Sequence, residues 1–388
     1  MSFLTGSSSH TWQPTMTSDT TTLSYWLNWR FFFCALWILT SMALAFFLIF
    51  KYEGFNRKRS EGGENQEDAG LVYEDEAWNT CLRGIDPSWL LIYRIICFIV
   101  LLALIIASVA ADGGVIFYFY TQWTFTLVTV YFGLGSYFSL YGYSLKHNKF
   151  GSSTVNRTSL DAELGPYMVS TIDGVLDMPN LPKSPDLEPQ TRKIAGLWGY
   201  IFQIIFQTCA GAVVLTDCVF WFIIYPFLTS KDYSVDFLIF CMHTINAVFL
   251  LGDTSLNCMR FPMFRFAYFV LWTAIFVIFQ WIIHVCVSIW WPYPFLDLSS
   301  PYAPLWYLAV ALMHFPCYGI FALIVRMKHS WLSRSFPGSS RVVRSQLTGL
   351  PHHLIDKKAI NPEVTTVGVV LCKRSDMPRG KMQQPNLG

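Results

Sequence analysis

Residues 236–253 read D-F-L-I-F-C-M-H-T-I-N-A-V-F-L-L-G-D, and this stretch decides the fold. Between its two terminal aspartates it carries no further Asp, Glu, Lys or Arg, and Asn246 follows His243 by about one helical turn. An ionisable side chain inside an apolar segment of bilayer depth is costly, and it usually faces a cavity or another helix. We therefore expect the other helices of the chain to enclose His243.

Composition places the whole chain among membrane proteins. Of the 388 residues, 53% are hydrophobic and 13% are charged, whereas about a quarter of the residues of a soluble domain are charged. The net charge of +2 gives no basis for nucleic-acid binding, so membrane lipids are the expected partners. The 10 cysteines lack a C-x-x-C pair or a metal-binding spacing, and no metal or organic cofactor is predicted.

The hydropathy pattern predicts an all-α polytopic membrane protein with about seven transmembrane helices. Each predicted span is apolar over at least most of the roughly 20 residues that a helix needs to cross a bilayer. The predicted spans are 31–50, 89–111, 118–143, 195–228, 236–253, 266–290 and 303–325. Arg94 lies near the start of the second span, where its long side chain is expected to reach the lipid headgroups.

Polar segments divide the chain into a membrane core and its connections. The N-terminal segment lacks the charged leader of a signal peptide, so we expect it to remain on the mature protein. The acidic loop after the first span and the basic C-terminal tail contain too few apolar residues to fold alone. The predicted organisation is a polar segment at 1–23, an additional transmembrane helix at 24–52, a cytoplasmic loop at 53–88, a six-helix membrane core at 89–328 that includes a cytoplasmic loop at 146–193, and a disordered cytoplasmic tail at 329–388.

The distribution of basic residues predicts the orientation of the chain. All 27 lysines and arginines except Arg30, Arg94 and Lys231 lie in every second connection and in the C-terminal tail. Basic residues concentrate on the cytoplasmic side of membrane proteins. We therefore expect the N-terminus outside or in a lumen and the C-terminus in the cytoplasm, in the endoplasmic reticulum or the plasma membrane.

In this orientation, three polar residues fall in the same half of the bilayer. At about 1.5 Å per residue, Thr121 lies near the outer boundary, and His243 and His284 lie roughly 10 Å and 9 Å below it. Gln280, His284 and Ser288 share one helical face, and Asp236, His243 and Asn246 share another. The spacing predicts that these two polar faces meet.

Each of these residues also has a purely structural interpretation. An intramembrane histidine such as His243 or His284 often serves only to hydrogen-bond one helix to another. Threonines in membrane helices commonly bond to a carbonyl one turn earlier, which is the structural interpretation of Thr121. Asp217, near a helix end, could orient a histidine, bind a cation or simply be hydrated.

Four stretches carry a resemblance to a known family. The runs C-M-H-T-I-N-A-V-F-L-L-G-D (241–253) and W-I-I-H-V-C-V-S-I-W-W-P-Y-P-F-L-D (281–297) resemble the androgen-induced / androgen-dependent TFPI-regulating protein family and the related rolling stone proteins. V-F-W-F-I-I-Y (219–225) and F-Y-T-Q-W-T-F-T-L (119–127) extend the match, which covers roughly residues 89–327. The resemblance implies that the second to seventh helices form that family's six-helix fold, and the overall pattern is similar to a plant branch.

The better-known members of that family hydrolyse lipid esters, notably fatty acid esters of hydroxy fatty acids, with a threonine and a histidine. Carried over to this chain, the resemblance implies Thr121 as nucleophile and His243 as base, and it aligns His284 without giving it a role. In the mechanism that we expect, Asp217 supports His243, and His284 or Asn246 stabilises the oxyanion. The chain departs from the family in its additional first helix, its long 146–193 loop, its tail and the Gln122-Trp123-Thr124 that follows Thr121.

A membrane scaffold and a receptor are the two alternatives to a hydrolase. Rolling stone relatives share the Thr-x-Trp pattern without an established hydrolase role, so a non-catalytic membrane scaffold or fusion and trafficking factor stays open. A seven-helix receptor is disfavoured because the third helix lacks an acidic-Arg-aromatic ending and the seventh lacks an Asn-Pro pair.

Overall fold

The computed structural model describes residues 16, 18–54, 72–163, 193–228, 235–337 and 339–341, with side chains described outside 148–163. The α-helices of this part, in chain order, are α1 (Leu23–Trp26), α2 (Trp29–Ile49), α3 (Pro87–Asp112), α4 (Tyr120–Glu163), α5 (Leu197–Val219), α6 (Phe237–Met242), α7 (Ile245–Leu256), α8 (Phe266–Cys286) and α9 (Ala303–Ser335). Short 3₁₀ and π-helical turns extend or join several of them, and no β-strand occurs among the described residues.

Within the described part of the chain, six helical segments are long and apolar enough to cross a membrane. They are Trp29–Glu53, Pro87–Tyr118, Leu197–Phe227, Phe237–Leu256, Met263–Cys286 and Ala303–Ser335. The predicted fold class is confirmed: the chain is an all-α polytopic membrane protein. Helix α4, the predicted span 118–143, is not among the six because Thr, Ser, Tyr and Gly dilute its apolar residues, yet it carries no charged residue from Tyr120 to Leu145 and packs between α3 and α5.

Helix α5 is the centre of the bundle. It packs against α4, α8 and α9, and twelve of its residues are buried. Gln203, Gln207 and Gly211 recur at four-residue spacing along α5 and are all buried. Gln203 and Gln207 both donate to the carbonyl of Arg260 at 3.0 Å. At Gly211, a Cβ atom would overlap the ring of Phe269, so only glycine lets α5 and α8 approach this closely.

The additional first helix is an integral part of the bundle. Helix α2 packs against α8 and α9. At its end, Glu53 accepts a hydrogen bond from Arg265 Nε at 2.9 Å and another from the hydroxyl of Tyr268. The helix that is additional to the six-helix core implied by the resemblance thus packs directly on helices of that core.

Arg94 does not reach the headgroups, and that prediction is also wrong. Its side chain is fully buried, and its Nε lies 2.7 Å from Oδ1 of Asp253, which is equally buried. Nη1 donates to the carbonyl of Ala77 at 2.6 Å and to the hydroxyl of Ser139 at 2.9 Å. Desolvation makes an unpaired charge at such a position prohibitive, so the partner on α7 determines where Arg94 points.

Three predicted boundaries move. Helix α4 continues to Glu163, although a loop was predicted from 146 onward. Residues 72–86, expected in a solvated loop, pack onto the bundle, where the buried Glu76 accepts from Arg260 Nε at 2.8 Å. Helix α9 continues to Ser335 instead of ending at 325, with His329 and Leu332 buried. The predicted tail thus starts too early, while residues 55–71, 164–192 and 342–388 lie outside the described part of the chain.

We expect truncation after Arg341 and truncation after His329 to behave differently. The shorter form loses the buried side chain of Leu332 and the backbone bond from Arg341 N–H to the carbonyl of Cys81 (2.9 Å). Removing such contacts should lower the melting temperature of the detergent-solubilised protein by about 5 °C or more. Thermal unfolding and size-exclusion chromatography of both forms measure this, and equal stability would show that the end of α9 contributes nothing.

Candidate functional site

A cavity of about 230 Å³ lies at the end of the bundle where α3 ends and α4 begins. Its wall is mostly aliphatic and aromatic, as a binding site for an apolar molecule requires. The polar side chains that line it are Asp112, Tyr120, Thr121, Gln122, Thr216, His243, Thr273 and Tyr293. We call it the apolar cavity.

His243 enters the apolar cavity from a break in a membrane helix. The predicted span 236–253 is not continuous, because it ends as α6 at Met242 and resumes as α7 at Ile245. The residues between them have the backbone angles of a turn, with Thr244 at φ −141°, ψ −48°. Non-helical backbone at membrane depth is tolerated only where protein or a cavity surrounds it, and here the apolar cavity lies beside the break.

Neighbouring side chains hold the His243 ring in one orientation. The ring stacks on that of Phe220, with centroids 3.7 Å apart and planes at 5°. The backbone carbonyl of His243 accepts a hydrogen bond from Nε1–H of Trp221 at 2.9 Å. Nδ1 is buried and lies 3.8 Å from Oδ1 of Asp217. Nε2, on the opposite side of the ring, is therefore the nitrogen left for a molecule in the cavity.

Asp217 and His243 face each other without a hydrogen bond. Oδ1 of Asp217 and Nδ1 of His243 are both buried atoms without a hydrogen-bond partner among the described residues, and 3.8 Å exceeds a hydrogen bond. Asn246 lies beside the Asp217 carboxyl, outside good hydrogen-bond geometry, while its Oδ1 accepts the N–H of Ala247 at 2.7 Å. Because buried polar atoms are nearly always bonded, this cluster is chemically unusual.

Thr121 belongs to the first turn of α4 and is 8% exposed. It lines the apolar cavity together with His243, so the structure brings the two predicted residues to one chamber. Its hydroxyl contacts the hydroxyl of Tyr293, and no hydrogen bond joins it to His243 in the described part of the chain. Thr121 and His243, the predicted nucleophile and base, thus line the same cavity without a hydrogen bond between them.

His284 lies outside the apolar cavity. Its Nδ1 bonds to the carbonyl of Gln280 at 2.7 Å, and its ring stacks on Trp291 at 3.7 Å. Gln280 donates to the carbonyl of Tyr118 at 2.8 Å instead of facing the helix of His243. The predicted meeting of the two polar faces does not occur, and neither His284 nor Asn246 lines the cavity.

The sequence interpretation missed two polar features of the cavity wall. One is Tyr293, which lies in the run W-W-P-Y-P-F; its flanking prolines signal a rigid turn but not its place in the cavity. The other is a hydrogen-bonded chain in which Oγ1 of Thr273 lies 2.8 Å from the Tyr120 hydroxyl and 2.9 Å from Nε2 of His314. These residues come from α4, α8 and α9, and no sequence spacing relates them.

Comparisons with protein-family models, with curated proteins and with solved structures gave no match for this chain.

Proposed function

We propose that the protein is a membrane-embedded hydrolase of lipid esters that uses Thr121 as nucleophile and His243 as general base. The observation that supports this most is that both residues line one apolar cavity, with His243 placed at a helix break and its Nδ1 turned towards Asp217. A threonine hydroxyl needs an adjacent base to act as a nucleophile at neutral pH. The family resemblance of the 241–253 and 119–127 stretches points to the same pair.

The reaction proceeds in two acyl transfers. Thr121 Oγ1 attacks the ester carbonyl carbon while His243 Nε2 takes the hydroxyl proton, and the carbonyl electron pair moves onto the oxygen. The C–O bond to the alcohol then breaks, and His243 returns the proton to the departing oxygen. Water attacks the acyl-threonine with His243 as base again, which releases the carboxylic acid and restores the Thr121 hydroxyl.

Asp217 is the positioning residue in this proposal. A carboxylate facing Nδ1 favours the tautomer with a proton on that nitrogen, which leaves Nε2 free to accept one. The 3.8 Å separation needs to shorten by less than 1 Å to form a hydrogen bond. Catalytic contacts are often loose without substrate and tighten when it binds.

The proposed substrate is a fatty acid ester whose acyl chain lies along the apolar wall. Rings and aliphatic side chains dominate that wall, and Phe220, Phe276 and Phe295 are among them. The polar side chains of the lining include those of Thr121 and His243, where the ester carbonyl would react. An ester of a hydroxy fatty acid, as the resemblance implies, fits this division into one polar centre and apolar surroundings.

We also propose that the apolar cavity opens to the outer or luminal leaflet. The basic residues of the described segments gather at the opposite end of the bundle, and Arg30 alone among them lies at the cavity end. Those at the opposite end include Lys51, Lys146, Lys193, Arg260, Arg265, Lys328 and Arg341. By the positive-inside rule that end faces the cytoplasm.

The orientation has a direct test in epitope accessibility. In intact cells an N-terminal epitope should be shielded from the cytosol, whereas a C-terminal epitope should be stained after selective permeabilisation of the plasma membrane. Both epitopes on one side would mean that either α2 or α4 does not cross, and the proposed leaflet would be wrong.

Covalent labelling tests the hydrolase itself. A long-chain fluorophosphonate should label the purified full-length protein, and peptide mapping should find the phosphonate on Thr121. An octanoate ester added as competitor should slow the labelling. Wild-type protein that neither reacts with the probe nor cleaves p-nitrophenyl octanoate would end the hydrolase proposal.

One observation favours the second candidate, a non-catalytic scaffold or trafficking factor that holds a lipid. The Thr121 hydroxyl contacts Tyr293 and not His243, as expected if its role is to fix the first turn of α4. On this alternative, lipid would bind in the apolar cavity without turnover, and Thr121→Ala would leave binding of a fluorescent fatty acid unchanged.

A further inference from the structure

Tyr293 is held firmly at the cavity wall. The residue lies between Pro292 and Pro294, and its ring stacks on Phe295 with centroids 5.1 Å apart and planes at 10°. The ring of Phe119 makes a second aromatic contact with Tyr293, edge to face, with ring centroids 6.1 Å apart. The side chain is 7% exposed and lines the apolar cavity.

The loop that carries Tyr293 is anchored from outside the cavity. The hydroxyl of Tyr25 donates to Oδ1 of Asp297 at 2.9 Å and accepts Nε1–H of Trp291 at 2.9 Å and the N–H of Leu298 at 3.1 Å. These bonds tie the loop on both sides of Tyr293 to the segment before α2. A side chain on such a supported loop keeps its position, as a catalytic donor must.

The hydroxyl of Tyr293 has spare donor capacity towards the cavity. It contacts the hydroxyl of Thr121 and the backbone of Tyr120 and Thr121 at the start of α4. A tyrosine hydroxyl can donate one hydrogen bond as well as accept others, so beside Thr121 it has a proton to give to a molecule in the cavity.

We propose that Tyr293 donates the hydrogen bond that stabilises the oxyanion formed when Thr121 attacks an ester. The inference rests on the proposed hydrolase function. The carbonyl oxygen is bonded to the carbon that Thr121 Oγ1 attacks, so a donor that lies beside that hydroxyl on the cavity side can reach it. Tyr293 lines the cavity together with Thr121, whereas His284 and Asn246, the donors expected at the oxyanion, do not line it.

The test is Tyr293→Phe in the full-length protein, with Tyr318→Phe as matched control. Tyr318 is an equally buried tyrosine whose hydroxyl donates to the carbonyl of Pro262 at 3.1 Å, away from the cavity. With p-nitrophenyl octanoate, Tyr293→Phe should lower kcat by about 10²-fold to 10³-fold and change KM by less than about threefold. The control should keep kcat within about threefold of wild type.

A ketone pair separates an oxyanion donor from a structural residue. Octyl trifluoromethyl ketone forms a tetrahedral adduct with an active hydroxyl, and the corresponding methyl ketone does not. Tyr293→Phe should weaken inhibition by the trifluoromethyl ketone by about 10²-fold and leave the methyl ketone within about threefold. Equal weakening of both ketones, together with a lower melting temperature, would make Tyr293 structural and overturn the inference.

The outcomes also distinguish this inference from the function on which it rests. If Thr121→Ala and His243→Ala abolish turnover while Tyr293→Phe stays within about threefold of wild type, the oxyanion donor is another group and the hydrolase proposal stands. If turnover is absent in wild type or survives in Thr121→Ala, the hydrolase proposal fails, and the role of Tyr293 falls with it.

Discussion

Replacing either Thr121 or His243 by alanine should reduce turnover of p-nitrophenyl octanoate by about 10³-fold or more, and replacing both should cost little beyond that. The reason is that the two residues act in one step: His243 removes the proton that Thr121 must lose when it attacks. Residues that share a step are strongly non-additive. The turnover of Asp217→Asn should lie between that of wild type and that of these variants, because the substitution affects only the tautomer and orientation of His243.

Matched controls exclude simple loss of structure. Thr129 lies two turns further along α4, is buried, and donates its hydroxyl to the carbonyl of Phe125 at 2.9 Å. Thr129→Ala should therefore keep its turnover, and so should His284→Ala once equal membrane yield is established. Fluorophosphonate labelling that persists in Thr121→Ala would refute the assignment of the nucleophile, and additive losses in the double variant would refute a shared step.

Asp253→Ala should be the most destabilising single substitution in the chain. It leaves the fully buried guanidinium of Arg94 without a counter-ion and removes the acceptor for the hydroxyl of Tyr131 and for Nδ2 of Asn257 (2.7 Å). Breaking a buried pair in this way costs about 3–5 kcal/mol, a large share of the stability of a typical folded protein. We expect a severe loss of monodisperse protein in detergent.

The exposed pair between Lys146 and Asp86 provides the control. Nζ of Lys146 lies 2.6 Å from Oδ2 of Asp86, which is even closer than the 2.7 Å of the buried pair. Both side chains, however, are about half exposed. Solvent screening limits such a pair to roughly 0–1 kcal/mol. Lys146→Ala should thus melt close to wild type, and an Asp253→Ala variant that does the same would show that the buried network is not what holds α3 to α7.

The amino-acid sequence by itself determined the fold class and the approximate position of the membrane helices. A helix that crosses the bilayer requires about 20 consecutive apolar residues. Each such run can be recognised in the sequence without knowledge of the other helices. It also drew attention to His243, because a lone ionisable residue in an apolar stretch must face inward. Helical rise along the chain was sufficient to expect Thr121 in the same half of the bilayer as His243, though not at a stated distance from it.

Tertiary structure decided everything that depends on which helix faces which. Arg94 was expected at the headgroups because the sequence does not show that Asp253 lies opposite it. His284 was expected at the site, and Tyr293 was not, because the direction of a side chain depends on helix rotation and on the loop after α8. Spacing within a helix is a local property, but the meeting of residues from different helices is set by packing of the whole bundle, which local sequence does not encode.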